Sequence, residues 1–193
     1  PYNLPFYPIR LIPSSTFSAL KLANNRICYA ILILMKILVV SDTHGKHYNF
    51  EDAVKKEKPH KVFHLGDSEG FQQEIMDIAG CPVEFVAGNC DSYSGLPAFL
   101  VMSVGKHVVM LTHGHHYQVR SGLLTLRNAA REKGADIVLY GHTHVPDIDY
   151  NLGITCANPG SISYPRQTPR DYTYMILDVD KEGEVHISIH ALD

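Results

Sequence analysis

The sequence predicts an α/β layered fold, and three observations carry that prediction. Short apolar runs alternate with helix-like segments over the first two thirds of the chain. Strand-like segments dominate the remainder, and the early apolar runs end in polar turns, most of them with glycine. Alternation of this kind builds a sheet covered by helices, and a strand-rich tail extends it into a mixed sheet or adds a second, packed sheet.

The elements follow in order. Lys36-Ile37-Leu38-Val39-Val40 is a β-branched apolar run, the pattern of a buried parallel strand. Residues 47–57 read as a helix, stopped before Pro59. Residues 61–65 are the next strand, 70–79 a helix closed by Gly80, and 83–87 a third strand. Residues 98–104 and 107–112 form a hairpin across Gly105-Lys106. Residues 121–133 are a helix stopped at Gly134, and 136–140 a strand. Strands over 147–157, 172–179 and 184–191 complete the chain, with a turn at Asp180-Lys181-Glu182-Gly183. No internal repeat or low-complexity tract is present, and no linker follows residue 35.

Residues 1–34 differ from the rest. Four prolines (Pro1, Pro5, Pro8, Pro13) and a serine-rich stretch oppose regular structure. The apolar run over 27–40 is interrupted by Lys36, is shorter than the roughly 20 residues of a membrane span, and has no small-residue cleavage site before Ser41. Met35 suits a start codon, so residues 1–34 are expected to be a poorly ordered N-terminal extension or leader, with the functional domain over 35–193.

The chain's 193 residues suit one core. The net charge of −3 lacks the basic surplus of a nucleic-acid binder, but a local metal site can still attract a small anion. Cys28, Cys81, Cys90 and Cys156 form no C-x-x-C pair, so reduced cysteines in a cytoplasmic protein are expected. Twelve histidines are an unusual number, and many cluster in short segments.

Those segments carry the chemistry. Five strand ends lead into Ser41-Asp42-Thr43-His44, Gly66-Asp67, Gly88-Asn89-Cys90-Asp91, His113-Gly114-His115 and Gly141-His142-Thr143-His144. In open α/β sheets ligands bind outside the carboxyl ends of strands, so scattered segments can converge on one rim. Carboxylates, imidazoles and an amide oxygen suit Mn, Fe, Co, Ni or Zn. D-x-H and H-x-H put two ligands on one turn with the middle side chain pointing away. Each motif alone has a plainer reading: D-x-H as a helix cap, Gly66-Asp67 and Asn89 as turn residues. His64, His107, His186 and His190 read as surface or core-edge histidines, and His60 as solvated. Seven candidate ligands, Asp42, His44, Asp67, Asn89, His113, His142 and His144, exceed what one ion needs and suit two ions sharing a carboxylate.

In this order the five motifs resemble the calcineurin-like metallophosphoesterase superfamily. With Gly88-Asn89-Cys90-Asp91 and Asn158-Pro159-Gly160-Ser161, they resemble its small prokaryotic phosphodiesterases over about residues 35–190. The resemblance implies two mixed β-sheets packed face to face and flanked by helices. It implies one metal held by Asp42, His44, Asp67 and His144, and a second by Asp67, Asn89, His113 and His142, with Asp67 bridging and manganese the leading candidate. Asp91 would orient a neighbouring group. A metal-bridging hydroxide would attack a phosphodiester in line with its leaving alkoxide.

Many members carry histidine where this chain has Cys90, as proton donor to the leaving group. Cys90 is a weaker donor, His115 is the nearest alternative, and Arg166 is a candidate contact for a substrate phosphate. Expected partners are a small phosphate ester and a second copy of the chain, with no nucleic acid and no membrane. Three rivals share the resemblance: a non-enzymatic scaffold of the retromer-subunit type, a nuclease, and a phosphomonoesterase. The intact ligand set opposes the first, the charge and Cys90 oppose the second, and substrate profiling separates the third.

Overall fold

The computed structural model of the chain describes residues 33–192. The expectations for the N-terminal extension up to residue 32, and for Cys28, lie outside the described residues. Ten strands are described: β1 (Ile33–Val40), β2 (Lys61–His64), β3 (Val83–Phe85), β4 (Phe99–Val104), β5 (His107–Thr112), β6 (Ile137–Leu139), β7 (Pro146–Asp149), β8 (Thr155–Pro159), β9 (Thr173–Asp180) and β10 (Val185–Ala191). Three α-helices accompany them: α1 (Tyr48–Glu57), α2 (Gln72–Ala79) and α3 (Leu124–Glu132). No described helix is long and apolar enough to cross a membrane.

The strands form two five-stranded mixed sheets, ordered β10-β9-β1-β2-β3 and β4-β5-β6-β8-β7. In the first, β1, β2 and β3 run parallel, while β9 and β10 pair antiparallel. In the second, β5, β6 and β8 run parallel between antiparallel edges β4 and β7.

The pleat explains the layering. Alternate residues of a strand face opposite sides, so a strand buried on both faces is apolar throughout. Ile37 and Val39 of β1 join Phe63, Leu111, Leu139 and Leu177 in one cluster built from both sheets. Leu38 and Val40 point the other way, against Phe50 and Ala53 of α1 and Ile75 and Ala79 of α2. Met110 and Val138 meet Leu126 and Ala130 of α3 behind the second sheet. The helices show these residues at i, i+3 or i, i+4, which stacks them on one face. Lys58 and Gly80 close α1 and α2 in the left-handed conformation, their N–H groups returning to Val54 O and Met76 O.

Three expectations need correction. The strand at 36–40 begins earlier, at Ile33, because β9 pairs with it from Asp180 onward. The helix at 121–133 starts only at Leu124, since Gly122, at φ 138°, is outside the helical region. The single strand at 147–157 is two: Leu152 and Gly153, at φ 58° and 71°, turn the chain so that β7 folds back antiparallel on β8.

Candidate metal centre

The parallel strands β1, β2, β3, β5 and β6 lead at their carboxyl ends into the loops that carry the candidate residues. Asp42, His44, Asp67, His142 and His144 all take positive φ, from 45° to 70°, and make up five of the nine such non-glycine positions described. Each departure of this kind costs on the order of 1–3 kcal/mol and persists only where the surroundings enforce it. The strain is thus concentrated on the residues picked out by chemistry.

Asp42, His113 and His144 are almost fully buried and Asp67 is 2% exposed. His144 Nε2 lies 3.1 Å from Asp42 Oδ1, and His113 Nε2 lies 3.5 Å from Asp67 Oδ2 and 3.8 Å from Asp42 Oδ1. His44 Nε2 is 3.7 Å from Asp67 Oδ2. These atoms make overlapping clusters: Asp42 with His44 and His144, Asp42 with Asp67 and His113, and His44 with Asp67 and Cys90.

The outer nitrogens fix which atoms face inward. His113 Nδ1 donates to Leu65 O and His144 Nδ1 to Tyr164 O, both at 2.7 Å. A carbonyl only accepts, so Nδ1 carries the proton and Nε2 of the neutral ring presents a lone pair. His44 Nδ1 lies 2.6 Å from Glu69 Oε1, which holds that ring the same way. The lone pairs then meet other lone pairs. His113 Nε2 faces Asn89 Oδ1 at 3.2 Å, and Asp42 Oδ1 is buried with no hydrogen-bond partner. Acceptors converging with no proton between them call for a cation, and oxygen with imidazole nitrogen is the donor set of a borderline divalent ion. Burial raises the Asp42 carboxyl, and only positive charge on the His144 and His113 side outweighs it and holds it at about 2, a role that a bound cation fills where those rings are neutral.

Asp91 does not reach the cluster but builds the loop that supports it. Its carboxylate accepts Asp67 N–H and Glu69 N–H at 2.7 Å, Gly88 N–H at 2.8 Å, and Ser68 N–H and hydroxyl at 3.3 and 3.2 Å. Asp67 Oδ1 in turn accepts Cys90 N–H at 2.8 Å. Gly88 is required here by close approach, since a Cβ would land on the Asp67 carboxylate and backbone nitrogen. Gly141 is required for the same reason, against the Ser41 hydroxyl.

The remaining candidates are placed as follows. Asn89 meets the cluster through His113. His142 donates its N–H to Asp42 Oδ2 at 3.2 Å and sets its ring 5.1 Å from His113, but its nitrogens join none of the described clusters. Burial and the neighbouring His113 push its ring down to about 4. Cys90 is exposed and accepts Asn89 Nδ2–H at 3.3 Å. Partial desolvation and then the Asp67 carboxylate push its thiol up to about 11, so it keeps its proton at neutral pH. His115 stacks on His116 at 3.9 Å, and burial and its histidine neighbours push it down to about 4, which makes it a poor proton donor at pH 7. Arg166 lies apart from the cluster, lining a hollow of about 700 Å³ beside His44 and His144.

Sequence reading missed several supporting residues. His64, expected at the surface or core edge, is fully buried. Gly66 N–H donates to its Nδ1 at 3.3 Å, so its Nε2–H donates to Thr43 Oγ1 at 3.1 Å, and Thr43 Oγ1 donates to Asp67 O at 3.4 Å. Burial pushes this ring down to about 4, which keeps it neutral and preserves the chain of bonds. Thr43, the middle residue of D-x-H, is therefore buried and tied to the backbone of the loop that carries Asp67. Asn158 Nδ2 donates to Gly141 O, and Ser161 Oγ to Asp42 O, both at 3.0 Å. The signal for these two was the Asn158-Pro159-Gly160-Ser161 turn at a sixth strand end.

Comparison with known proteins agrees with this geometry. Residues 35–182 match the calcineurin-like phosphoesterase superfamily domain. The probable metallophosphoesterase YsnB of Bacillus subtilis is 32% identical over 77% of this chain and 87% of its own. The phosphodiesterase MJ0936 of Methanocaldococcus jannaschii is 26% identical over 77% of this chain and 95% of its own. The crystal structure of a predicted phosphoesterase from Streptococcus pneumoniae superposes with a TM-score of 0.66 at 32% identity, covering 82% of this chain and 98% of that one. The motif order, the two-sheet fold and the match over most of the chain agree: this chain belongs to the calcineurin-like phosphoesterase superfamily.

Proposed function

We propose that the chain hydrolyses phosphodiesters with two divalent metal ions. The observation that carries this reading is the convergence of ligand atoms: Asp42 Oδ1 without a hydrogen-bond partner, and the Nε2 atoms of His44, His113 and His144 turned toward two carboxylates. Asp42, His44, Asp67 and His144 would hold one ion, and Asp67, Asn89, His113 and His142 the other, with Asp67 shared. The absence of a required thiolate favours manganese over softer ions, with Fe, Co, Ni or Zn as substitutes. Bound divalent ions polarise phosphoryl oxygens and lower the pKa of water to about 7.

The protein's own residues hold and orient. The outer hydrogen bonds to Leu65 O, Tyr164 O and Glu69 fix each imidazole before any ion arrives, which reduces the ordering cost of binding. Cys90, still protonated, stands at the cluster as a weak donor toward a departing alkoxide. Diesters with good leaving groups are therefore the favoured substrates. The three described cysteines are free, which suits a reducing cytoplasm.

The test is removal of metal by chelation, reconstitution with manganese, and assay against bis(p-nitrophenyl) phosphate, p-nitrophenyl phosphate and cyclic nucleotides. The expected result is metal-dependent hydrolysis with diesters preferred. Full metal loading without turnover of any ester would overturn the enzymatic reading and leave a scaffold.

A further inference from the structure

The hollow beside His44 and His144 is not explained by the metal ligands. Its wall carries Lys46, Arg166 and Arg170, together with Tyr164, Tyr172 and one carboxylate, Glu69. That carboxylate is turned to the His44 ring at 2.6 Å. Among the described residues no acidic side chain pairs with Lys46, Arg166 or Arg170. Three cations thus face one open space in a chain whose net charge is −3. Like charges gathered without counter-charges repel one another, so such a group is accounted for by an anion that visits it.

The wall is also built. Lys46 Nζ stands 4.2 Å above the Tyr164 ring, and that ring meets the edge of His44 at a centroid distance of 5.3 Å. Arg166 N–H donates to His144 O at 3.1 Å, which fixes the arginine loop to the H-x-H loop. The doorway between the hollow and the metal cluster is therefore His44 and His144 themselves. A phosphoryl group held at the cluster would extend one arm of its ester directly into the basic space. Guanidinium forks match phosphate oxygens in pairs, which an ammonium alone does not. At about 700 Å³ the hollow is far larger than one phosphate, and lies within the range of about 300–1,000 Å³ seen for sites that take whole small molecules.

Resting on the phosphodiesterase reading above, we propose that the hollow is a second-anion subsite, and that the preferred substrate is a diester one arm of which carries a further phosphate. Lys46, Arg166 and Arg170 bind that distal phosphate, while the scissile one lies at the metal cluster. Selectivity for such diesters then comes from KM more than from kcat, since the distal group does not change during bond cleavage.

The experiment compares thymidine 5′-(p-nitrophenyl phosphate) with the same compound bearing a 3′-phosphate, using manganese-loaded protein at low salt. Wild type is expected to show a KM at least ~10-fold lower for the 3′-phosphorylated ester, the equivalent of one net charge-assisted contact. The double variant Arg166→Gln/Arg170→Gln is expected to bring the ratio of the two KM values close to one. Arg166→Lys/Arg170→Lys is expected to retain part of it, and high salt to compress it in wild type. Equal KM values in an active wild type would overturn the subsite. If neither ester is hydrolysed, the phosphodiesterase reading fails, and the subsite is decided by calorimetric binding of inorganic pyrophosphate to the metal-free protein. Binding weakened ~10-fold or more in the glutamine variant supports the subsite, and binding unchanged by the variant overturns it.

Discussion

Replacing Asp91 with asparagine tests how much of this site is held by a single carboxylate. Asp91 is 4% exposed. Its Oδ2 accepts Asp67, Gly88 and Ser68 N–H groups at 2.7, 2.8 and 3.3 Å, and its Oδ1 accepts Glu69 N–H at 2.7 Å and the Ser68 hydroxyl at 3.2 Å. Asparagine has one oxygen to offer. With that oxygen in the Oδ2 position, its NH₂ meets Glu69 N–H donor against donor. Hydrogen bonds to charged groups net about 1.5–3 kcal/mol and neutral ones about 0.5–1.5 kcal/mol. Losing one short charged bond and weakening the three at Oδ2 gives at least about 3 kcal/mol, a large part of the roughly 5–15 kcal/mol of a typical domain.

Urea unfolding of metal-free wild type and Asp91→Asn measures this directly, and a midpoint lowered by about 1–2 M is expected. The pH dependence supplies a second readout. Burial would raise the Asp91 carboxyl, but the N–H groups of Gly88, Glu69, Ser68 and Asp67 hold it below its usual value. A carboxyl whose folded pKa lies below its unfolded one stabilises at neutral pH, and that contribution disappears as pH falls through the folded value. The gap between wild type and variant should therefore narrow below about pH 4. A loss under about 0.5 kcal/mol, the range of ordinary surface changes, would refute the reasoning.

Other predictions follow from the same geometry. Asp67→Asn should lower activity more than any other single ligand change, because it removes charge from both ions. Near wild-type activity under saturating manganese would contradict the shared ligand. His64→Leu should weaken manganese binding ~10–100-fold by leaving Thr43 and Gly66 without their partner, as read by titration calorimetry. An unchanged affinity would confine His64 to packing. Cys90→His should speed alkyl esters more than p-nitrophenyl esters, within the ~10²–10⁴-fold range of general acid catalysis. The slope of log rate against leaving-group pKa checks this, and an unchanged slope at equal metal content would show that position 90 does not address the leaving group.

Much of the fold was legible because burial on both faces leaves a mark that polar turns bound cleanly. Ile37 to Val40 is an unbroken apolar run, and Val62 to Leu65 is interrupted only at His64, a residue that supports the site. The β7–β8 turn was not legible. Asp147, Ile148 and Asp149 alternate like a strand, and the left-handed residue that turns the chain is Leu152, a residue type that rarely signals a turn. At the site, the residues the fold brings together were legible from five polar motifs that follow apolar strands in one order, since any one motif alone has a plainer reading. Supporting residues were less so. His64, Thr43 and Glu69 act through hydrogen bonds that span 21 to 25 positions of sequence, and only the fold brings them together. The basic hollow has the same origin, since Lys46 and Arg170 meet only when the Asn158-Pro159-Gly160-Ser161 turn docks on the Asp42 loop.

The central claim is that two ions share this cluster. It is tested most directly by anomalous scattering from a crystal of the manganese-saturated protein, collected on both sides of the manganese edge. The account predicts two anomalous peaks ~3.5–4 Å apart, with the Asp67 carboxylate between them and the Nε2 atoms of His44, His113 and His144 facing inward. A single peak at saturating manganese would contradict it.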